Sequence, residues 1–308
     1  MDALAPVPSQ ASGIDRLVYR SELVAVGAFR CPADHPLFAD SGPIRNHCVV
    51  FPRTRARIEP SGHEAFESDR AVVPVYNAGQ QYRRRAVNGL ADECDYFALT
   101  PAAFADVAAT AASFGVASPD EGFRVSHVHA SVAVYARQRL VFRRAASAGA
   151  SLAIDEAVLA MTAEVLRVPG VPRAGGAARP AHRALASRTR AALAATVGAP
   201  LMLSDLARMV GASPFHLCRV FRAVTGLTIH AYRERLRIAA SIDRLEAGDD
   251  LSAVALDLGY SSHSHFTAAF RAACGVTPSG WRRLSAPARR AVRPGGFSTT
   301  ETRPPTRL

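Results

Sequence analysis

The chain has 308 residues, five cysteines, a formal charge of +11 and a hydrophobic fraction of 49%. That length suits two domains and buries real cores, while normal apolar content and sparse cysteine exclude a disordered, collagen-like or disulfide-scaffold protein. All 37 basic residues are Arg; residues 1–177 hold 18 of them against 18 acids, and 178–308 hold 19 against 8. The whole excess sits in the second half, as expected where one domain meets a polyanion and the other does not.

The N-terminal residues, Met1 to Leu17, lack a basic start followed by an apolar core, so no signal peptide is expected. No run reaches roughly 18 uncharged apolar residues, so no membrane span is expected. Cys31, Cys48, Cys94, Cys218 and Cys274 are odd in number and widely spaced, without a CxxC pair. They read as buried free thiols in a reducing cytosol, and the expectation is a soluble, cytoplasmic protein.

After a flexible N-terminus over 1–13, residues 14–100 carry short β-rich runs, such as Leu23–Val26, Cys48–Phe51 and Ala71–Tyr76, punctuated by Pro and Gly. Strands at such spacing suggest a sandwich or small barrel. From about Pro101 the texture becomes Ala-rich and helical. One helix is expected over 130–147, and another with Ser151 as N-cap and Asp155 and Glu156 in its early turns. In the second, Ile154, Val158, Met161 and Val165 form one apolar stripe, to pack on its own domain or on a second copy of the chain. Residues 168–182, with Val168-Pro169-Gly170-Val171-Pro172 and Gly175-Gly176, read as a linker after a sensor or dimerisation domain over 14–167. Residues 183–284 read as helical throughout, and 285–308 as a disordered tail.

The second half repeats itself. Leu203-Ser204, Leu206-Ala207 and Val210-Gly211 align with Leu251-Ser252, Val254-Ala255 and Leu258-Gly259 at an offset of 48. After a single-residue slip, Ser213, His216, Phe221-Arg222, Gly226, Thr228 and Tyr232-Arg233 meet Ser262, His265, Phe270-Arg271, Gly275, Thr277 and Trp281-Arg282. Each copy reads as helix-turn-helix. Ser204 is expected to cap a short helix that Gly211 ends, and Ser213 the next, with Pro214 at its first position. Leu217, Val220, Phe221 and Val224 face inward, leaving Phe215, His216, Cys218, Arg219 and Arg222 outside. In the second copy Ser262 is the cap; Phe266, Ala269, Phe270 and Ala273 face inward, and His263, Ser264, His265, Thr267 and Ala268 outward. Thr228 caps a long helix through about Glu246 between the copies, and Thr277 is a further cap. Two short helices joined by such a turn form the geometry that places a second helix in the DNA major groove.

Residues 183–284 resemble the double helix-turn-helix domain of the AraC/XylS transcriptional regulators. The resemblance is carried by Ala255-Leu256-Asp257-Leu258-Gly259-Tyr260-Ser261-Ser262, His265-Phe266, Phe270-Arg271, Gly275-Val276-Thr277-Pro278 and Trp281-Arg282. Phe51-Pro52-Arg53, Gly62 and Tyr76–Tyr82 resemble the family's cupin-like sensor barrels more faintly. The resemblance implies an α+β chain: an N-terminal cupin-like barrel or sandwich with flanking helices, then an all-α reader whose two recognition helices enter successive major grooves. It implies a DNA-binding regulator, most often an activator, with no cofactor. Its implied partners are double-stranded DNA, RNA polymerase, an unidentified small-molecule effector and a second copy of the chain through the N-terminal domain. This chain departs from the family at Ala268, which stands where the second recognition helix often carries Arg, the equivalent of Arg219.

Base reading is therefore expected from Phe215, His216, Cys218 and Arg219 and, less strongly, from His263, Ser264, His265 and Thr267, because only Arg219 offers the two-pronged donor that suits guanine. Arg222, Arg271, Arg282 and Arg283 read as phosphate contacts. Phe221, Phe270, Tyr232 and Trp281 read as core. The rival readings are a cupin-type enzyme carrying a nucleic-acid module, and a regulator controlled only by dimerisation or a protein partner. Against the enzyme, His127-Val128-His129 is expected to lie beyond the barrel with no Glu before Glu156. His35, His47, His63 and Glu64 complete no metal triad, and no catalytic motif is present. Arg83-Arg84-Arg85 reads as a solvated edge strand rather than an anion site.

Overall fold

A computed structural model describes residues 13–40, 42–87, 89–147, 152–167 and 179–286. Eight strands form first: β1 (Asp15–Arg20), β2 (Val24–Cys31), β3 (His47–Pro52), β4 (Ala56–Pro60), β5 (Phe66–Ser68), β6 (Val72–Tyr76), β7 (Tyr82–Ala86) and β8 (Asp92–Leu99). Helix α1 (Pro101–Thr110) follows, then the short strands β9 (Ala117–Ser118), β10 (Gly122–Phe123) and β11 (His127–His129). One antiparallel sheet has the order β1-β2-β8-β3-β6-β11, a second β5-β4-β7, and a third pairs β10 with β9. These sheets are open; the region is a sandwich, without the hydrogen-bonded closure of a barrel.

Alternation along the large sheet decides what each face does. Val24, Val26, Val49, Phe51, Val73, Val75, Phe97 and Leu99 join a core with the helices. Ala25, Cys48 and Ala98 face the other way. With Ile58 and Tyr82 from the small sheet, they line a cavity of about 170 Å³.

Helices α2 (Val132–Ser147) and α3 (Leu152–Arg167) cover the large sheet. The α3 stripe of Ile154, Val158, Met161 and Val165 is buried within the chain itself, so of the two packings its spacing allowed, the intramolecular one forms. The expected cap Ser151 and most of the expected linker lie outside the described residues, as do residues 1–12 and 287–308.

The expected position of His127-Val128-His129 is corrected: it is not beyond the sheets but is β11, paired with β6 through His127–Pro74, Val128–Val73 and His129–Val72. Val128 fills the core, and the two flanking imidazoles share the opposite face. Strand β7 is an edge strand, yet its arginines are not all solvated. Arg84 is buried, donates to Asp92 at 2.8 Å and to the Leu37 carbonyl at 2.9 Å, and lies over the Phe29 ring.

The second half holds α4 (Pro180–Ala195), α5 (Leu203–Val210), α6 (Pro214–Thr225), α7 (Ile229–Ala247), α8 (Leu251–Asp257), α9 (His263–Cys274) and α10 (Pro278–Ser285). Pro opens α4, α6 and α10, where the ring's fixed φ suits the first turn and its missing N–H costs nothing.

Candidate nucleic-acid interface

The two helix-turn-helix units are built by the same local chemistry. In the first, α5 ends at Gly211, whose φ of 66° is the left-handed conformation that glycine adopts without penalty. The Ser213 side chain then accepts from His216 N at 3.3 Å and starts α6. In the second, the Ser262 side chain accepts from His265 N at 3.1 Å and starts α9. Thr228 caps α7 through Ala231 N at 3.1 Å, and Thr277 caps α10 through Gly280 N at 3.1 Å.

The capping role expected of Ser204 is corrected. Ser204 is the second residue of α5, and the N-cap is Met202, which has no side-chain acceptor. At the matching position of the second copy stands Asp250, which accepts from Ser252 N at 2.9 Å and Ala253 N at 3.0 Å. Those bonds to the ionised form hold the Asp250 carboxyl below its usual range.

Leu217, Val220 and Phe221 seat α6, and Phe266 and Phe270 seat α9, with Tyr232 and Trp281 fully buried beside them. On the outer surface of α6, Phe215, Cys218, Arg219 and Arg222 are exposed, so the expected burial of the thiols fails at Cys218, and His216 is half-buried, its ring 5.8 Å from that of His182. On α9, His263, Ser264, His265, Ala268 and Arg271 are exposed. His265 Nδ1 lies 3.1 Å from Ser261 Oγ, and its ring meets Tyr260 edge-on.

Two expected contacts point elsewhere. The Thr267 hydroxyl is buried and meets no hydrogen-bond partner among the described residues, because its rotation on α9 carries it toward the core. Arg282 turns inward and donates to the Asp249 carbonyl, tying α10 to the loop after α7; its neighbour Arg283 stays exposed.

The sandwich grips this helical half through residues of which the sequence marked only Arg53 and Tyr232, neither for this role. Asp69, in the turn before β6, accepts from both Arg190 Nε at 3.1 Å and Nη2 at 2.7 Å on α4, and from the Tyr232 hydroxyl on α7. Burial pushes the Asp69 carboxyl up, but Arg190, Tyr232 and the Ala71 N–H outweigh it and hold the acid below its ordinary range. Asp243 on α7 gathers Arg53 at 3.1 Å, Arg70 at 2.8 Å and Tyr135 at 3.3 Å. Arg139 on α2 bridges Asp95 of β8 and Glu246 of α7. Beside Asp69 and Arg190 lie His127 and His129. Burial, with the nearby cations, lowers their imidazoles to about 3 and about 4.

Among the described residues no group of three or more His, Cys, Asp or Glu could hold a metal ion. His47 instead stacks on Phe104 at 4.0 Å, His127 stacks on Phe66 at 4.2 Å, and His35 Nδ1 accepts from Leu37 N. No described helix is long and apolar enough to cross a membrane.

Residues 206–284 match a helix-turn-helix domain family. The regulatory protein SoxS of Salmonella typhimurium is 34% identical over 84 residues, which cover 27% of this chain and 78% of SoxS. The HTH-type transcriptional activator RhaR of Klebsiella pneumoniae is 31% identical over 105 residues, 34% of this chain and only 37% of RhaR, so the chain spans about a third of that relative. A solved AraC-type regulator from Chromobacterium violaceum, 26% identical, covers 33% of this chain and 92% of its own, with a TM-score of 0.32. On the matched helix-turn-helix units and the match to SoxS over 78% of its length, the chain belongs to the AraC/XylS family of transcriptional regulators.

Proposed function

We propose that this protein is a cytoplasmic, one-component transcription regulator, without enzymatic activity, that reads two successive major grooves with α6 and α9. The observation that carries the reading is the pair of Ser-capped helices seated by aromatic cores, their polar outer faces exposed, in the half of the chain that holds all the excess charge. In this reading Phe215, His216, Cys218 and Arg219 meet base edges from α6. His263, Ser264 and His265 do so from α9, and Arg222, Arg271 and Arg283 meet phosphates. The sensor occupies 14–167 and the reader 183–284, with the start of α4 lengthening the reader to Pro180.

The sandwich tunes the reader. Its cavity of about 170 Å³ is close to the size that holds a benzene-sized molecule, and the grip of Asp69, Arg53, Arg70 and Arg139 on α4 and α7 passes a change in the sandwich to both units. Activation through RNA polymerase is the direction we favour, because RhaR, similar over the reader, is named as an activator. A second copy of the chain would have to dock elsewhere than on the α3 stripe, which is already covered.

The test is duplex binding by the full chain across a salt series. Arginine contacts to phosphate release counterions, so affinity should fall steeply, by about a thousandfold or more between roughly 50 and 200 mM salt if six or more phosphates are neutralised. Folded protein that does not bind, or binds independently of salt, would overturn the reading.

A further inference from the structure

Two recognition helices can enter successive grooves only if the distance and tilt between them match the helical repeat, about 34 Å along the axis. Helix α7 joins the two units, packing Tyr232 and Leu236 into the first and Ile238, Ile242 and Leu245 into the second. A second strut exists. The loop between α4 and α5 reaches across and lays Gly198 directly on the second unit. A Cβ at Gly198 would collide with the Asp257 carbonyl oxygen and stand 3.0 Å from its carbon and 3.5 Å from Leu258 Cα. From the other side Gly259, at φ +74°, faces the Gly198 carbonyl, and a Cβ there would also meet Arg237 Nη2 at 2.6 Å. Backbone touches backbone with no room for a methyl on either side.

The contact is strapped to α7. Arg237 Nε donates to the Val197 carbonyl at 3.0 Å while its guanidinium lies 5.5 Å from the Tyr260 ring centroid. Tyr260 in turn donates its hydroxyl to Glu234 at 2.8 Å. Arg233 reaches the Thr196 carbonyl at 3.3 Å and the Ala199 carbonyl. Three loop carbonyls just past α4 are thus held by cations of α7, a favourable place for positive charge. Gly259 opens the turn that leads through Ser262 into α9, so anything that moves Gly259 moves the second recognition helix.

We propose that the Gly198–Gly259 contact, strapped by Arg237, is the gauge that sets the separation of α6 and α9 and so the half-site spacing that the protein accepts. The proposal rests on the two-groove reading above. It makes Gly198 and Arg237 specificity-determining positions although neither is placed at a base.

The experiment is selection from a randomised duplex library with the full chain, comparing wild type, Gly198→Ala, Arg237→Ala and, as a control in the same loop, Ala199→Ser, whose parent side chain is exposed. The readout is the spacing between the two selected half-site motifs. Wild type and Ala199→Ser should select one spacing. Gly198→Ala, which wedges the units apart, should move the preferred spacing or spread it over neighbouring values, with half-site sequences unchanged. Arg237→Ala, which removes the strap without adding bulk, should spread it and decides the matter alone should Gly198→Ala not fold. Folded variants that keep the wild-type spacing as sharply, or lose affinity equally at every spacing, would overturn the proposal. A wild-type selection that returns a single half-site would instead overturn the two-groove reading, and this inference with it.

Discussion

At the place where α6 carries Arg219, α9 carries Ala268, and both side chains are exposed. Arg219 is a planar donor that fits guanine O6 and N7, an interaction worth about 1–3 kcal/mol of discrimination. Arg219→Ala should therefore lower specific affinity roughly 5- to 150-fold and leave non-specific binding nearly intact. Ala268→Arg should change base preference in the second half-site or raise non-specific affinity. Competition over a randomised duplex library checks both, and unchanged specificity in Arg219→Ala would remove it as the dominant reader. The caps differ between the copies in a similar way. Met202 is exposed at the N-cap of α5 and offers the first N–H groups nothing, whereas Asp250 serves α8. Met202→Asp should stabilise the protein by about 0.5–2 kcal/mol in urea unfolding; no gain would show those N–H groups already satisfied by water. Ser213, Ser262 and Thr228 were legible as caps because a Ser or Thr stood just before an apolar period. Ser204 also stood there, and the misreading arose because Leu203, which looked like the flank, is the first helical residue.

Strand β11 shows at the level of elements what a sequence pattern hides. Three residues, His127-Val128-His129, carry too short an alternation to announce a strand, and their pairing with β6 closes over about fifty intervening residues. The longer runs at Val24–Val26, Cys48–Phe51 and Val72–Tyr76 were readable because unbroken apolar, largely β-branched runs mark strands buried on both faces. Burial of the two imidazoles has a pH consequence. His127 and His129 both face Asp69 before β6 and Arg190 on α4; His129 also faces Arg235 on α7, and His127 faces His63. Their folded values lie below the ordinary 6.5, so the stability they contribute is fully present above about 6.5 and is lost as pH falls toward 3–4. Each should add a slope of up to about 1.4 kcal/mol per pH unit in that window. Replacement by His127→Phe with His129→Leu should flatten the fall of the melting temperature between pH 6.5 and 4, and an unchanged slope would assign the acid sensitivity elsewhere.

Across the whole molecule, one apolar core runs from Val24 and Phe97 in the sandwich through α2 to Ile238, Phe270 and Trp281 in the reader. The ion pairs that accompany it join residues as far apart as Arg53 and Asp243, separated by 190 positions. Such pairs leave no period and no motif, which is why the repeat of the reader was legible and its attachment was not. The attachment makes the halves cooperative. Trp281 is the one tryptophan of the chain, so its fluorescence reports the reader alone. Asp69→Ala removes the carboxylate that pairs with buried Arg190 and accepts from Tyr232 and should cost about 3–5 kcal/mol. It should also split a single unfolding transition into two, Trp281 fluorescence no longer following the far-ultraviolet dichroism. Coincident transitions in the variant would show that the apolar core, with the pairs at Asp243 and Arg139, couples the halves without Asp69.

Hydroxyl-radical footprinting of the full chain on a selected duplex tests the central claim, that α6 and α9 occupy successive major grooves, most directly. The expected result is two protected patches on one face of the duplex, about one helical turn or 10–10.5 base pairs apart, of which Arg219→Ala weakens the one read by α6. A single protected groove, or two patches on opposite faces, would contradict it.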